Sequence, residues 1–472
     1  MKRYKRVAVL LAVLALACAA TFAVSRYEQH KEQIAESGET VLAIDPDAVT
    51  ALSWTVGDES LAFHKDESWL YDADEAFPAD ADKIGERLEL FSDFAAAFVI
   101  EDVEDYAQYG LDDPAATITL TAGEQNYTIK LGDFSQMDEQ RYVDTGDGNV
   151  YLAVTDPMDL FDVDLSELIL DDVIPDFDAV SRIAFAGAEN YTVTYEEDSG
   201  RSYAAEDVYF NENGQPLDTA RVEAYLSALS GADLSAYATY NAGAGELEAM
   251  GMNDPELTVT VDYTGGDDGE TAGSCTVSIA RAPGDRATLE TAAPDDESAD
   301  EEAEDITAYL RVGESQIIYE LPGGDFTDLM AAGYDDLRHQ ELFWGDWDDV
   351  TAVDVTLESE THALTAKGTG EDRVWSLNGT QADMTDVTAA LNALTAERFT
   401  GDPAAGQEEL ALTLHLDNEN FPTVTIRLTR LDGEYCLAEV DGASVCLVSR
   451  ADTMTLVEAV QAIVLGQSTD EA

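Results

Sequence analysis

Three stretches of this chain open alike, and a repeated opening limits the fold more than any other feature, because each copy must build the same local structure. They are Asp47-Ala48-Val49-Thr50-Ala51-Leu52, Asp178-Ala179-Val180-Ser181-Arg182-Ile183 and Asp349-Val350-Thr351-Ala352-Val353. Each runs into alternating apolar and polar residues, the period of a half-buried strand. A second short strand and a polar turn follow, at Ser68-Trp69-Leu70-Tyr71, Asp207-Val208-Tyr209-Phe210 and Arg373-Val374-Trp375-Ser376-Leu377.

A helical pattern comes next in every copy, through Ile84, Leu88, Phe91 and Phe98, then Val222, Leu226 and Leu229, then Val387, Leu391 and Leu394. Spacings of three, four and seven place such side chains on one face. The first two copies then share a turn, Tyr109-Gly110-Leu111-Asp112-Asp113-Pro114 and Met250-Gly251-Met252-Asn253-Asp254-Pro255. Glycine supplies an unusual backbone angle there, Asp or Asn starts the turn, and Pro forbids a continuing helix. The third copy has Gly406-Gln407-Glu408-Glu409 at that place and lacks the motif. Hairpin strands and a short helical tail close each unit, as at Asp159 to Leu170 and Thr453 to Leu465.

The expected fold class is therefore α+β, with three related units, each an antiparallel sheet carrying a helix on one face. Repeat one runs over 47–175, repeat two over 176–345 and repeat three over 346–466, with a linker at 25–46 and a tail at 467–472. The second unit is longer, and most of its extra residues lie between Gly265 and Asp305. Within them, 283–305 holds an acidic run without apolar periodicity, read as a mobile loop.

The N-terminus predicts where such a chain resides. Lys2, Arg3, Lys5 and Arg6 precede an uncharged run of 18 residues, Val7 to Val24. As a helix it would reach roughly 27 Å, close to the ~30 Å hydrocarbon core of a bilayer. Basic residues before it place 1–6 in the cytoplasm and the remaining chain outside. Two other readings keep the same mass outside. Ala15-Leu16-Ala17 and Ala17-Cys18-Ala19 offer small residues for signal cleavage, and Cys18 would carry a lipid in a lipoprotein.

With 98 Asp plus Glu against 24 Lys plus Arg, the formal charge is -74. Repulsion on that scale excludes nucleic acid and anionic lipid surfaces as expected partners. Four cysteines are too few for a disulfide-built scaffold. Cys436 and Cys446 are equidistant from Asp441, so a hairpin turning there would set them opposite each other, at a spacing a disulfide can bridge. The alternative is two small, half-buried apolar side chains.

The order of features resembles that of a known family. A basic N-terminal anchor leads to Trp69 in a strand, an amphipathic helix, the turn from Tyr109 to Pro114, then Leu131-Gly132-Asp133 and Tyr142-Val143. The chain resembles bacterial membrane-anchored proteins carrying the domain of unknown function 4340. The resemblance is clear over the first unit, weaker over the second at Met250 to Pro255, and faint in the third. Members are often encoded beside ABC transporters linked to gliding or export, which implies an accessory role at the envelope and carries over no catalytic residue.

The residues themselves offer no catalytic signature. There is no phosphate-cradling glycine loop, Gly-x-Ser-x-Gly elbow, His-Glu-x-x-His or Cys-x-x-Cys. His30, His64, His339, His362 and His415 are scattered without ligand spacing, and no catalytic residue, cofactor or metal is assigned. Trp344-Gly345-Asp346-Trp347 before the third unit reads as core packing or a wedge between units rather than a sugar platform. The expected function is a membrane-anchored extracytoplasmic interaction module without catalysis. A cell-wall carbohydrate binder or carboxylate-dependent hydrolase, and a passive spacer, are the alternatives.

Overall fold

The computed structural model describes residues 38–101, 103–265, 271–286, 307–357 and 360–466. The basic tail, the 7–24 segment with Cys18, most of the 283–305 run and the 467–472 tail lie outside the described residues. Among the described residues no helix is long and apolar enough to cross a membrane.

Repeat one is a sheet of nine antiparallel strands: β1 (Glu39–Leu42), β2 (Val49–Val56), β3 (Glu59–Lys65), β4 (Trp69–Tyr71), β5 (Phe94–Ile100), β6 (Ala116–Ala122), β7 (Gln125–Ser135), β8 (Gln140–Asp144) and β9 (Val150–Ala153). Their order across the sheet is β1-β5-β9-β8-β7-β6-β2-β3-β4. The other repeats keep the same plan from the β4 position to the β5 position, the third adding Thr380–Ala382 at its β4 edge. In repeat one the added edge strand is β1, which pairs with β5 although the sequence places 39–42 in a linker.

The repeated openings have a physical cause. In each repeat the first long strand slips register at the same point, between Val49 and Ala51, Val180 and Arg182, and Val350 and Ala352. The bulge leaves one residue unpaired in the ladder. That residue is Thr50, Ser181 or Thr351, and its hydroxyl donates to a carbonyl on the facing strand, of Thr121, Asp262 and His415 respectively. A short hydroxyl side chain follows the valine in all three copies because it satisfies an acceptor the bulge disturbs.

The helices of the first two repeats start on an aspartate, whereas Met384 holds that place in repeat three and makes no side-chain cap. Asp80 accepts from the Asp82 and Lys83 amides to cap α1 (Ala81–Glu89), and Asp218 accepts from the Ala220 and Arg221 amides to cap α2 (Thr219–Ser230). α2 packs on α3 (Gly323–Met330), and α4 (Thr385–Asn392) packs on α5 (Arg450–Gly466). Ile84 and Leu88 are buried as their period predicts, but α1 ends at Glu89. Phe91 is buried beyond its end, and Phe98 stands on β5, 60% exposed. A strand now lies where the apolar period suggested a longer helix.

In repeat three, Val387, Leu391 and Leu394 share one core with Val353, Leu412 and Ile426 from the sheet and Leu456 and Val460 from α5. By proximity the chain divides into two compact units. The first holds 38–172 with 234–243 and 316–318, and the second holds the remaining described residues, from Val173 onward.

The hairpin at the end of repeat three corrects the expected disulfide. Asp441 and Gly442 both form the turn, with positive φ, so Val440 faces Ala443. A bulge after Ala438 then pairs Cys446 with Ala438 and Cys436 with Val448. Cys436 and Cys446 are thus diagonal neighbours, a spacing of ~7–8 Å, whereas a disulfide rarely spans more than ~6.8 Å between Cα atoms. Both are free and buried, as is Cys275.

Candidate functional site

The motif residues of repeat one gather at one place. Tyr109 ends a short 3-10 turn, and Gly110 leaves it in the left-handed region at φ 69°. A Cβ on Gly110 would lie 2.6 Å from the Asp133 carboxylate, and one on Gly132 would overlap the Tyr109 carbonyl oxygen. Leu111 inserts beneath the loop, 1% exposed, and the Tyr109 and Tyr142 rings meet at 4.9 Å. Arg141 donates to the Gly132 carbonyl at 2.8 Å and pairs with Asp156 at 2.7 Å. The Tyr-Gly-Leu and Leu-Gly-Asp motifs are therefore two halves of one backbone contact. Asp112 and Pro114 complete the turn into β6.

In repeat two Gly251, at φ 78°, meets the Arg281 carbonyl in the same way, ahead of Asp254 and Pro255. Repeat three lacks the motif but keeps the contact. A Cβ on Gly406 would overlap the Arg430 carbonyl, and the Arg430 amide donates to Gln407 at 2.8 Å. The loop backbone runs against the strand in all three copies, leaving no room for a side chain. This is construction rather than chemistry.

A different cluster, in the second unit, has no counterpart among the described residues of repeat one. Asp207 is buried, its side chain 2% exposed. It accepts from His339 Nε2 at 2.8 Å, from Trp344 Nε1 at 3.0 Å and from the Ser202 hydroxyl. The His339 ring stacks on Trp344 with centroids 4.4 Å apart and planes 9° from parallel. Trp344 in turn lies on Tyr203, whose ring also meets Phe343 and Phe421. Trp344 thus packs among side chains of the second compact unit, on Tyr203 and His339. Burial among these rings pushes the Tyr203 phenol well above the usual tyrosine range.

On its other side, His339 Nδ1 lies 3.9 Å from Asp218 Oδ2. Glu341 completes a group with Asp218 and His339 whose ligand atoms lie within 4.8 Å of one another. His339 and Glu341 line a cavity of about 180 Å³ with Gln215, Pro216, Phe399 and Cys446. Burial pushes the Cys446 thiol up to about 12, so it is no nucleophile at neutral pH.

Sequence spacing could not bring these residues together, since Asp207 and His339 are 132 positions apart. The one local signal was His339-Gln340-Glu341, two metal-capable side chains two apart in a chain with five histidines. The other histidines are partnered or lie elsewhere. His64 bonds Asp72 at 2.7 Å and His415 bonds Asp354 at 2.9 Å on half-exposed strands. His362 is half-buried on its strand, and His30 lies outside the described residues. Asp144 to Asn149 form the β8–β9 turn, with the Gly146 amide on Asp144 and the Asn149 amide on Asp147.

The family model described as "Domain of unknown function (DUF4340)" matches residues 69–255 and again 208–413. The chain belongs to that family. Each DUF4340 match starts at or just before the β4 position of one repeat and ends at the turn or first following strand of the next, so the two overlap over 208–255. No curated protein and no solved structure matches the chain.

Proposed function

We propose that this DUF4340 chain is a non-catalytic interaction module, held by residues 7–24 at the outer face of a membrane, where it presents its sheets to an envelope partner such as an ABC-transporter subunit. One observation carries the reading. The motif residues shared by the first two copies, Gly110 and Gly251, lie where the backbone approaches a strand, and Gly406 keeps that approach without the motif. What the chain repeats is a scaffold.

Charge supports the placement. A net -74 disfavours nucleic acid and acidic lipid while suiting a cation-rich exterior. In-cell crosslinking with partner identification tests the module: enrichment of one transporter subunit supports it, and no enriched partner favours a passive spacer. N-terminal sequencing of the mature protein tests the anchor, since a start after Ala17 or Ala19 replaces it with a lipid or with secretion.

A second reading has a specific observation in its favour. A cleft of about 630 Å³ in the second unit is lined by Asp176, Asp178 and Glu223 with Phe177, Tyr195 and Tyr209. Carboxylates beside aromatic faces suit a sugar ligand. Glycan-array binding lost in Glu223→Gln would move the function from scaffold to carbohydrate recognition.

A further inference from the structure

We infer that Asp218, His339 and Glu341 form a binding site for one divalent ion of the zinc class, with Asp207 as the positioning residue behind the histidine. The donor set is one imidazole nitrogen and two carboxylate oxygens, which zinc accepts at ~2.0–2.2 Å while keeping a position for water.

The orientation of the ring is the strongest argument. Asp207 accepts from Trp344 Nε1 and the Ser202 hydroxyl, and a carboxylate has only acceptors to offer, so the His339 Nε2 that faces it at 2.8 Å carries the proton, and in the neutral ring Nδ1 keeps its lone pair on the Asp218 side. A carboxylate behind a metal-binding histidine fixes the tautomer and raises ligand basicity in this way. Stacking on Trp344 locks the ring plane.

The carboxylates are also poised. Asp218 Oδ1 is committed to capping α2, which leaves Oδ2 toward the ring. Its competitor there is Arg221, whose Nε lies 3.5 Å away on a side chain 45% exposed. Glu341 is held through its backbone by a bridge to Thr395, and its carboxylate has no hydrogen-bond or ion-pair partner among the described residues. Tetrahedral coordination at about 2.1 Å separates ligand atoms by ~3.4 Å. From the present 3.9 Å between His339 Nδ1 and Asp218 Oδ2, and at most 4.8 Å within the group, that spacing is a contraction of about 0.5 to 1.4 Å.

Repeat one supplies an internal control. There the Asp80 amide bonds the Leu168 carbonyl as the Asp218 amide bonds that of Leu337, so the same construction is present. The residue two beyond Leu168 is Leu170, 57% exposed, where repeat two has His339. The architecture does not require a histidine here.

The test uses the metal-stripped full chain titrated with Co²⁺ in excess Mg²⁺, which saturates weak carboxylate sites. One equivalent should produce the visible absorption of a low-coordinate cobalt site, displaced by Zn²⁺. His339→Gln and Glu341→Gln should each weaken binding more than tenfold, and Asp207→Asn by roughly ten- to a hundredfold. The metal-free Glu341→Gln protein should unfold at the wild-type temperature, which separates ligand loss from misfolding. Absence of a saturable visible band, or a band unchanged in Glu341→Gln and His339→Gln, overturns the assignment.

Discussion

The glycine seat under Tyr109 and the junction around His339 are built on opposite principles. The seat recurs three times, depends on residues close in sequence and on backbone approach, and carries no reactive group. The junction is absent from repeat one, draws on residues 132 positions apart, and concentrates a buried carboxylate, an imidazole and a free glutamate. In a repeat protein, what recurs is what the fold needs, so chemistry is best sought where one copy departs from its siblings.

The sharpest way to break that contrast is to fill the seat. Gly132→Ala and Gly406→Ala push a methyl group into a carbonyl oxygen, and each should cost about 3 kcal/mol in urea unfolding. Equal tolerance of both would show that the recurring contact is incidental. At the junction, Asp207→Ala strands three donors, and about 2 kcal/mol should be lost by the same measurement.

The cysteines test the hairpin register. Native alkylation followed by peptide mass spectrometry should leave Cys436 and Cys446 unmodified and unbridged, with labelling only after unfolding. A Cys436–Cys446 disulfide peptide would restore the simple hairpin. A milder contrast comes from Gly85 in α1, where a Cβ meets nothing, so Gly85→Ala should stabilise by up to ~1 kcal/mol.

The smallest effect concerns His64, an ordinary surface histidine. Its hydrogen bond to Asp72 raises its pKa above 6.5. A raised folded-state pKa contributes stability below the unfolded value of 6.5, and that contribution disappears as pH rises through the folded value. An NMR titration giving 6.5 or less would remove the pairing.

Much of the fold was legible because its causes are local. The openings, in which Thr or Ser follows the valine, encode a bulge and the hydroxyl that satisfies it, and the first two turn motifs encode a left-handed glycine. Legibility failed where the deciding contact is distant or differs by one residue. One residue of turn and one of bulge moved Cys436 off Cys446. The apolar period through Phe98 continued past a helix that stops at Glu89, because strand and helix periods overlap in short apolar runs. The His339 cluster was invisible because nothing in a linear pattern reports that Asp207 and His339 meet.

The first compact unit borrows 234–243 and 316–318 from the middle of the chain. Tyr240 from that borrowed stretch bonds Asp74 at 2.7 Å and sets its ring against Phe77. A gene fragment ending at residue 175 would therefore yield a body with an open flank, however neatly it follows the repeat. The first DUF4340 match runs on to residue 255, past this stretch. The repeating unit read along the chain is thus shorter than the compact body it helps to build, and a fragment meant to keep that body whole has to reach past residue 318.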